Sequence, residues 1–224
     1  MAARTGTAIG RVAIFDLDRT LISGSSLVPL ARQLVRRGLV PRYRMAGAIV
    51  RNARFARSGA DEVSAERLLA EAMITVAGLP ARQLHDAVVP AAVEVARSIR
   101  PAMRDVVRAH VLRGDFCVLL SSAPHELVEE VARLADLDVG IGTRVEVRNG
   151  LLTGRLDGPF CHGAGKLARL RDELRDIDMT AATAYSDAGS DLPLLEASGR
   201  PVAVRPDRRL RAAARKSGWP IVDA

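Results

Sequence analysis

Polar side chains able to do chemistry follow directly on apolar runs at several places in this 224-residue sequence. They are Asp16, Asp18 and Thr20 after the run 11–15, Ser121 and Ser122 after 116–120, Asp187 and Asp191 after 181–186, and Lys166 at the start of a helical segment. Four carboxylates gathered at one place would repel one another strongly unless a cation neutralises them. Hard oxygen ligands suit Mg²⁺, so the set predicts a magnesium site where its members converge.

The apolar runs alternate with helical segments, and this alternation predicts how the polar residues are positioned. Short apolar runs typical of buried strands occur at 11–15, 116–120, 181–186 and 201–204. Helical spacing of apolar residues occurs at 101–113, 124–137, 165–174, 191–197 and 207–217. Such alternation indicates α/β architecture, a Rossmann-like three-layer α/β/α fold around a parallel sheet. Ligands of these sheets bind at the carboxyl ends of the strands, where the polar residues stand.

Two segments depart from this alternation. The stretch 139–156 alternates in polarity around Asn149-Gly150, which is a strong signal for a hairpin turn. The stretch from about 23 to 99 is nearly all helix-like and shows no convincing strand. We therefore predict a core domain formed by residues 1–22 and 100–224, with residues 23–99 inserted as a helical cap domain.

The composition restricts the class of protein. Hydrophobic residues make up 48% of the chain and aromatic residues 3%, so a sizeable core is expected to be mainly aliphatic. Cys117 and Cys161 lie in apolar surroundings, which indicates buried free thiols and not a disulfide framework. Residues 1–10 lack the apolar run of a signal peptide, and no apolar run reaches membrane-spanning length. A soluble, cytoplasmic protein is expected.

Four motifs, in order along the chain, carry a family resemblance. They are Phe-Asp-Leu-Asp-Arg-Thr-Leu at 15–21, Leu-Leu-Ser-Ser-Ala-Pro at 119–124, Cys-His-Gly-Ala-Gly-Lys at 161–166 and Tyr-Ser-Asp-Ala-Gly-Ser-Asp at 185–191. Together they resemble the signature motifs of the haloacid-dehalogenase-like (HAD) phosphatases. The helical insertion after the first motif is similar to subfamily IB, the branch that contains phosphoserine phosphatases. The resemblance covers essentially the whole chain and implies the HAD-like fold.

The resemblance also implies a role for each carboxylate. Asp16 would be the nucleophile that forms an aspartyl-phosphate, and Asp18 would protonate the leaving alcohol and then activate water. The metal would be held by the Asp16 carboxylate, the Asp18 backbone carbonyl and Asp187. Asp191 would support that shell.

Three further residues would hold the phosphoryl oxygens. Ser121 and Lys166 are the main candidates, with Ser122 beside them. A second observation supports a functional role for Lys166. The chain has only two lysines, Lys166 and Lys216, among its 33 lysine and arginine residues. A lysine in so arginine-rich a sequence indicates a need for a compact ammonium group.

Two departures from the family pattern bear on the substrate. Phosphoserine phosphatases carry an acidic residue that pairs with the substrate ammonium at the position of Ser25, so phosphoserine is not expected as the substrate. Arg19 stands where many relatives have Gly, and an extra cation beside the nucleophile is a candidate for substrate contact. Ser190 replaces an Asn common in relatives.

The predicted cap is strongly basic. Between Asp18 and Asp61 there is no acidic residue, yet nine arginines occur: Arg19, Arg32, Arg36, Arg37, Arg42, Arg44, Arg51, Arg54 and Arg57. One interpretation is a solvated helix face. The other is a surface for anionic substrates or anionic lipid headgroups.

We therefore expect a Mg²⁺-dependent phosphatase acting on a small phosphorylated metabolite, with no nucleic-acid partner and no transmembrane segment. One alternative is a lipid-phosphate phosphatase whose basic cap makes peripheral contact with a membrane. Another is a non-catalytic nucleic-acid-binding protein on the same fold, which a net charge of +7 would allow. The presence of Asp16, Asp18, Lys166 and Asp187 together argues against that last alternative, because a binding protein needs no nucleophile beside an acid.

Overall fold

The computed structural model describes residues 10–41 and 62–223. Its strands are β1 (Val12–Phe15), β2 (Phe116–Pro124), β3 (Val139–Thr143), β4 (Val145–Arg148), β5 (Leu151–Leu156), β6 (Thr183–Ser186), β7 (Arg200–Val204) and β8 (Ile221–Val222). Within the described residues, six strands form a parallel sheet in the order β3-β2-β1-β6-β7-β8. The first strand therefore lies near the middle, with its carboxyl end between those of β2 and β6.

Helices cover both faces of this sheet. They are α1 (Leu27–Arg36), α2 (Glu62–Val76), α3 (Ala81–Arg97), α4 (Pro101–Leu112), α5 (His125–Leu134), α6 (Ala164–Glu173), α7 (Leu192–Ala197) and α8 (Arg208–Ser217). Apolar side chains of α3, α4 and α5 belong to one buried cluster, and those of α6, α7 and α8 belong to another. The predicted three-layer α/β/α fold is confirmed.

The residues of β1 show how the sequence divides between the two clusters. Ala13 and Phe15 belong to the first cluster, whereas Val12 and Ile14 belong to the second. Side chains alternate between the faces of a strand, so a continuous apolar run is what a strand buried on both faces requires. All four residues are at most 1% exposed. Their burial holds β1 in place, so the next residue, Asp16, lies at a fixed point on the carboxyl edge of the sheet.

The predicted hairpin begins later than the sequence pattern indicates. The prediction extends over 139–156, but residues 139–143 form β3, which pairs in parallel with β2 in the main sheet. Only β4 and β5 form an antiparallel ribbon around Asn149-Gly150. These two residues have φ values of 52° and 77°, as a tight two-residue turn requires. Sequence alternation alone did not reveal that the chain changes sheets after Thr143.

Helices α1, α2 and α3 lie between β1 and β2 in the chain, where the cap is predicted. The two ends of this segment meet, because Ile22 forms an antiparallel bridge with Ile99 and Arg100 N donates to Leu21 O over 2.9 Å. Of the nine arginines between Asp18 and Asp61, five lie outside the described residues: Arg42, Arg44, Arg51, Arg54 and Arg57. The domain boundaries stay a prediction.

Both cysteines are buried free thiols, as predicted. Burial raises the pKa of Cys117 and Cys161 to about 12, so neither thiol is ionised at neutral pH. Among the helices of residues 10–41 and 62–223, none combines the length and apolarity that crossing a membrane demands.

Candidate active site

An ammonium group lies at the centre of the site between two buried carboxylates. Lys166 Nζ is 2.6 Å from Asp16 Oδ1 and 2.7 Å from Asp191 Oδ2. Lys166 is only 3% exposed, and both aspartates are buried, so salt screens these ion pairs far less than it screens surface pairs. Asp16 reaches this point from the carboxyl end of β1, and Lys166 reaches it from the first turn of α6.

Burial and charge act in opposite directions on this group. Burial disfavours the ammonium form of Lys166, but the adjacent Asp16 and Asp191 carboxylates outweigh it and raise the pKa of the lysine above its ordinary value. Burial raises the pKa of Asp16, with Lys166 opposing the shift and Asp191 adding to it. The lysine is therefore a permanent cation that partly compensates a local excess of negative charge.

Asp187, which follows β6, joins the site to the loop after β1. Thr20 Oγ1 donates to Asp187 Oδ1 over 3.3 Å and accepts from Asp187 N at 3.0 Å. Arg19 Nε lies 3.1 Å from Asp187 Oδ2. Burial raises the pKa of Asp187 to about 7, the charge of Asp16 adds to the shift, and Arg19 opposes it. The charge of Asp16 therefore acts directly on Asp187.

A buried arginine holds the loop that carries Arg19 and Thr20. Arg100 Nη2 donates to the backbone carbonyls of both residues, over 2.8 Å in the case of Arg19. Arg100 directly precedes α4 and is 8% exposed. No motif in the sequence marks this residue, because its partners are backbone atoms 80 and 81 positions away.

Asp18 is held at the start of α1. Ser26 N donates to Asp18 Oδ1 over 2.8 Å, and Ser25 Oγ donates to Asp18 Oδ2 over 3.2 Å. Burial raises the pKa of Asp18, hydrogen bonds from Ser26 and Ser25 oppose the shift, and the charge of Asp16 adds to it. Ser25, the predicted specificity residue, therefore contacts the predicted acid directly.

The two predicted phosphate-binding serines differ in exposure. Phe15 pairs with Leu119, so Ser121 stands on the neighbouring strand beside the residues that follow β1. Ser121 is 1% exposed, and its Oγ accepts from Ala123 N over 3.2 Å. Ser122 is exposed, and its carbonyl accepts from Thr143 Oγ1. Ser121 is thus the serine buried at the carboxyl edge of the sheet.

The Asp191 side chain does not act as a helix cap, and its supporting role at a metal stays a prediction. It stands at the N-cap position of α7, but its side chain makes no capping hydrogen bond. Its Oδ2 instead accepts from Lys166 Nζ and, over 2.6 Å, from Ser186 Oγ. Ser186 was not identified from the sequence, although its place at the end of β6 is the kind of position that supplied the other site residues.

The donor set fits a hard cation. The carboxyl groups of the site lie near the Lys166 ammonium and the Arg19 guanidinium. Burial and repulsion from neighbouring carboxylates nevertheless raise the pKa values of Asp16, Asp18 and Asp187. Among the described residues no group of three or more His, Cys, Asp or Glu side chains has the arrangement of a metal cage. The ligand set implied by the motifs is smaller than such a cage, since it needs only two side-chain carboxylates and one backbone carbonyl, and it stays a prediction.

Gly165 controls how Lys166 enters the site. A Cβ at Gly165 would lie 1.9 Å from the carbonyl oxygen of Phe160, so the first turn of α6 has no space for a side chain at this position. We expect Gly165→Ala to lower the free energy of unfolding by about 1–3 kcal/mol and to reduce activity by displacing Lys166. Urea unfolding and turnover assays measure both. Gly10→Ala is the control, because a Cβ there meets nothing within 4 Å; equal effects of the two changes would contradict the account.

This arrangement of motifs on a parallel sheet defines a family. A family model described as haloacid dehalogenase-like hydrolase matches residues 13–196. The chain belongs to this family, as its four motifs predict.

Its relatives include named phosphatases. A phosphoserine phosphatase of Mycobacterium tuberculosis is 34% identical over 221 residues, which cover 94% of this chain and 70% of the relative. A histidinol-phosphatase of Neisseria meningitidis is 31% identical over 227 residues, covering 95% and 98% of the two chains. These comparisons support assignment of the chain as a phosphoric monoester hydrolase and favour neither alternative function.

Solved structures agree on the fold. The crystal structure of a protein of unknown function from Bordetella pertussis has a TM-score of 0.75 at 29% identity and covers 96% of this chain and 98% of its own. A substrate-bound phosphoserine phosphatase complex has a TM-score of 0.64 at 16% identity, covering 96% and 93% of the two chains. At that identity the second likeness supports the fold alone.

Proposed function

We propose that this chain is a Mg²⁺-dependent phosphatase that hydrolyses a phosphomonoester through an aspartyl-phosphate on Asp16. The observation that carries the proposal is the buried Lys166 ammonium, 2.6 Å from Asp16 Oδ1, with Asp18 two residues further along the same loop. A buried carboxylate held beside a fixed cation, with an acid next to it, is the arrangement that nucleophilic attack on a phosphate ester needs.

In the first half-reaction the Asp16 carboxylate attacks phosphorus, and the bond between phosphorus and the ester oxygen breaks. The leaving oxygen takes its proton from the Asp18 carboxyl group. The raised pKa of Asp18 favours the protonated form required for this step. Hydrogen bonds from Ser25 and Ser26 hold the acid in place.

In the second half-reaction water attacks the same phosphorus atom, and the now ionised Asp18 removes the water proton. The bond between phosphorus and the Asp16 oxygen breaks, which releases inorganic phosphate and restores the Asp16 carboxylate. One residue thus acts as acid and then as base, so each turnover leaves Asp18 protonated again.

The phosphoryl oxygens are held by groups at the carboxyl edge of the sheet. Lys166 supplies a fixed positive charge, and Ser121, with Ser122 next to it, supplies hydroxyl donors. The Asp16 carboxylate, the Asp18 backbone carbonyl and the Asp187 carboxylate would hold Mg²⁺, which when bound neutralises charge on the phosphoryl group. Asp191 orients Lys166 through its 2.7 Å ion pair.

The substrate is a small phosphorylated metabolite, and residues 23–99 form the cap that contacts its organic half. Named relatives act on phosphoserine and on histidinol phosphate. Ser25 is neutral and its hydroxyl donates to Asp18, so this position supplies no carboxylate to pair with a substrate ammonium. A neutral side chain here supports a substrate other than phosphoserine.

Removal of Mg²⁺ tests the metal requirement. We expect a chelator to abolish hydrolysis of phosphorylated metabolites and added Mg²⁺ to restore it, because the site carboxylates then regain their counterion. A screen of phosphomonoesters with Mg²⁺ and with chelator measures this and ranks substrates. Unchanged turnover after exhaustive chelation would contradict the proposal.

Ser25→Ala tests how the acid is positioned. Loss of the hydroxyl removes one of two hydrogen bonds to Asp18, so we expect kcat to fall by about 3- to 10-fold, in line with one hydrogen bond to a charged or ionisable group. The matched change Ser217→Ala alters a serine at the end of α8, remote from the site in the chain. Steady-state kinetics with an alkyl phosphate should show the loss in kcat and not in KM; a pure KM effect would assign Ser25 to substrate binding.

A further inference from the structure

Both oxygens of Asp187, a proposed metal ligand, are already engaged. Oδ1 accepts from the hydroxyl of Thr20, and Oδ2 pairs with Arg19 Nε at 3.1 Å. A divalent cation placed on this carboxylate meets a guanidinium at the same group. Like charges on one buried carboxylate repel each other, and both Asp187 oxygens already have partners, so a cation bound here competes with one of those partners.

The two partners differ in how easily they can move. Thr20 is fully buried. Its hydroxyl donates to Asp187 Oδ1 and accepts from Asp187 N over 3.0 Å, so these two hydrogen bonds hold its side chain in place. The Arg19 side chain is 37% exposed and has a long, flexible stem. The guanidinium is therefore the partner that can withdraw toward solvent.

The backbone at Arg19 adds an independent argument. Its φ is 65°, a left-handed conformation that glycine adopts freely and other residues adopt at a cost. Arg100 holds this conformation by donating to the carbonyls of Arg19 and Thr20. A strained arginine placed where glycine would fit better indicates that its side chain has a use there.

We infer that Arg19 is a built-in counterion that neutralises Asp187 in the metal-free enzyme and is displaced when the divalent cation binds. The inference rests on the proposed function, since it takes Asp187 as a metal ligand. Arg19 thereby weakens metal binding and protects the carboxylate cluster from self-repulsion before the metal arrives. The affinity of the site for the divalent cation therefore depends on the Arg19 side chain.

Calorimetric titration with Mg²⁺ tests the inference in the absence of substrate. We expect Arg19→Gly to bind Mg²⁺ about tenfold more tightly than the wild type, because a competing charge-assisted hydrogen bond is removed. Glycine suits the backbone at this position, so the variant is expected to fold. Arg32→Ala is the charge-matched control, because Arg32 pairs with Glu94 on the helices between β1 and β2 and has no part in the site.

A spectroscopic readout follows the guanidinium itself. In ¹⁵N-labelled protein the Arg19 Nε–H signal, assigned by its loss in Arg19→Gly, should shift on Mg²⁺ addition in step with the calorimetric binding curve. Wild-type Mg²⁺ affinity in Arg19→Gly, or an Arg19 signal that does not respond to bound Mg²⁺, would overturn the inference.

Asp187→Asn separates this inference from the proposed function. If Asp187→Asn abolishes Mg²⁺ binding while Arg19→Gly leaves it unchanged, the inference fails and the metal site stands. If Mg²⁺ binds the wild type and Asp187→Asn equally, the metal assignment of the proposed function fails as well.

Discussion

Asp16→Asn is expected to lower kcat by at least about 10,000-fold while the protein remains folded. The amide has nearly the same shape as the carboxylate but cannot attack phosphorus, so no aspartyl-phosphate forms. Lys166 keeps its second partner, Asp191, at 2.7 Å, which prevents an unpaired buried ammonium. Turnover of a phosphomonoester with saturating Mg²⁺ measures the loss, and circular dichroism reports the fold.

The control is an aspartate of the same chemistry outside the site. Asp172 is exposed on α6, so Asp172→Asn changes the net charge equally and should leave kcat unchanged. Amide variants can recover activity through slow deamidation, and Asp16→Ala excludes that source. Substantial turnover by both Asp16 variants would show that another group attacks phosphorus.

Lys166→Met is expected to damage both stability and catalysis. The change leaves Asp16 and Asp191 buried without their shared cation, and breaking a buried pair in this way costs about 3–5 kcal/mol of unfolding free energy. Activity should also be lost, because Lys166 is the lysine placed beside the nucleophile, whereas Lys216 is exposed on α8. Urea unfolding at neutral pH and steady-state kinetics measure the two effects.

The pH dependence of this destabilisation has a definite sign. Without Lys166 the buried carboxylates favour their protonated forms, so their folded-state pKa values lie above those of the unfolded chain. Stability of the variant is then retained at acid pH and lost as pH rises through the folded pKa values. The gap between Lys166→Met and the wild type should therefore widen from acid to neutral pH.

Lys216 provides the matched control, since it is the other lysine of the chain and is exposed on α8. Lys216→Met should unfold like the wild type. Adding Asp191→Asn to Lys166→Met removes one of the two unpaired charges and should restore part of the stability, as a double-mutant cycle for contacting residues predicts. Equal stability of the two lysine variants would show that the buried ion pairs do not support the fold.

The sequence was most informative where local pattern and chemistry coincide. Apolar runs such as 12–15 form strands that are buried on both faces, and the residue that follows each run lies at the same edge of the sheet. Asp16 and Asp187 were identified in this way, and Lys166 was identified from the motif at 161–166 and the rarity of lysine in the chain. The structure brings these three residues together. The structure also places Asp191 beside Lys166, because the helix of Asp191 starts at that edge.

Other features depend on contacts between residues that are distant in the chain. Arg100 holds backbone carbonyls 80 positions away, and no periodicity encodes such a partner. The ion pair of Arg19 with Asp187 joins two motifs that were interpreted separately. Strand β3 was assigned to a hairpin because alternation defines a strand and does not identify the neighbour with which it pairs.

Trapping of the covalent intermediate tests the central claim most directly. Asp18→Asn with p-nitrophenyl phosphate and Mg²⁺ should release nitrophenolate without needing an acid, and the phosphorylated enzyme should then stall because no base activates water. We expect a burst of about one nitrophenolate per chain and phosphate attached to Asp16, located by borohydride reduction and peptide mass spectrometry. Steady release without a burst, or phosphate on any other residue, would contradict it.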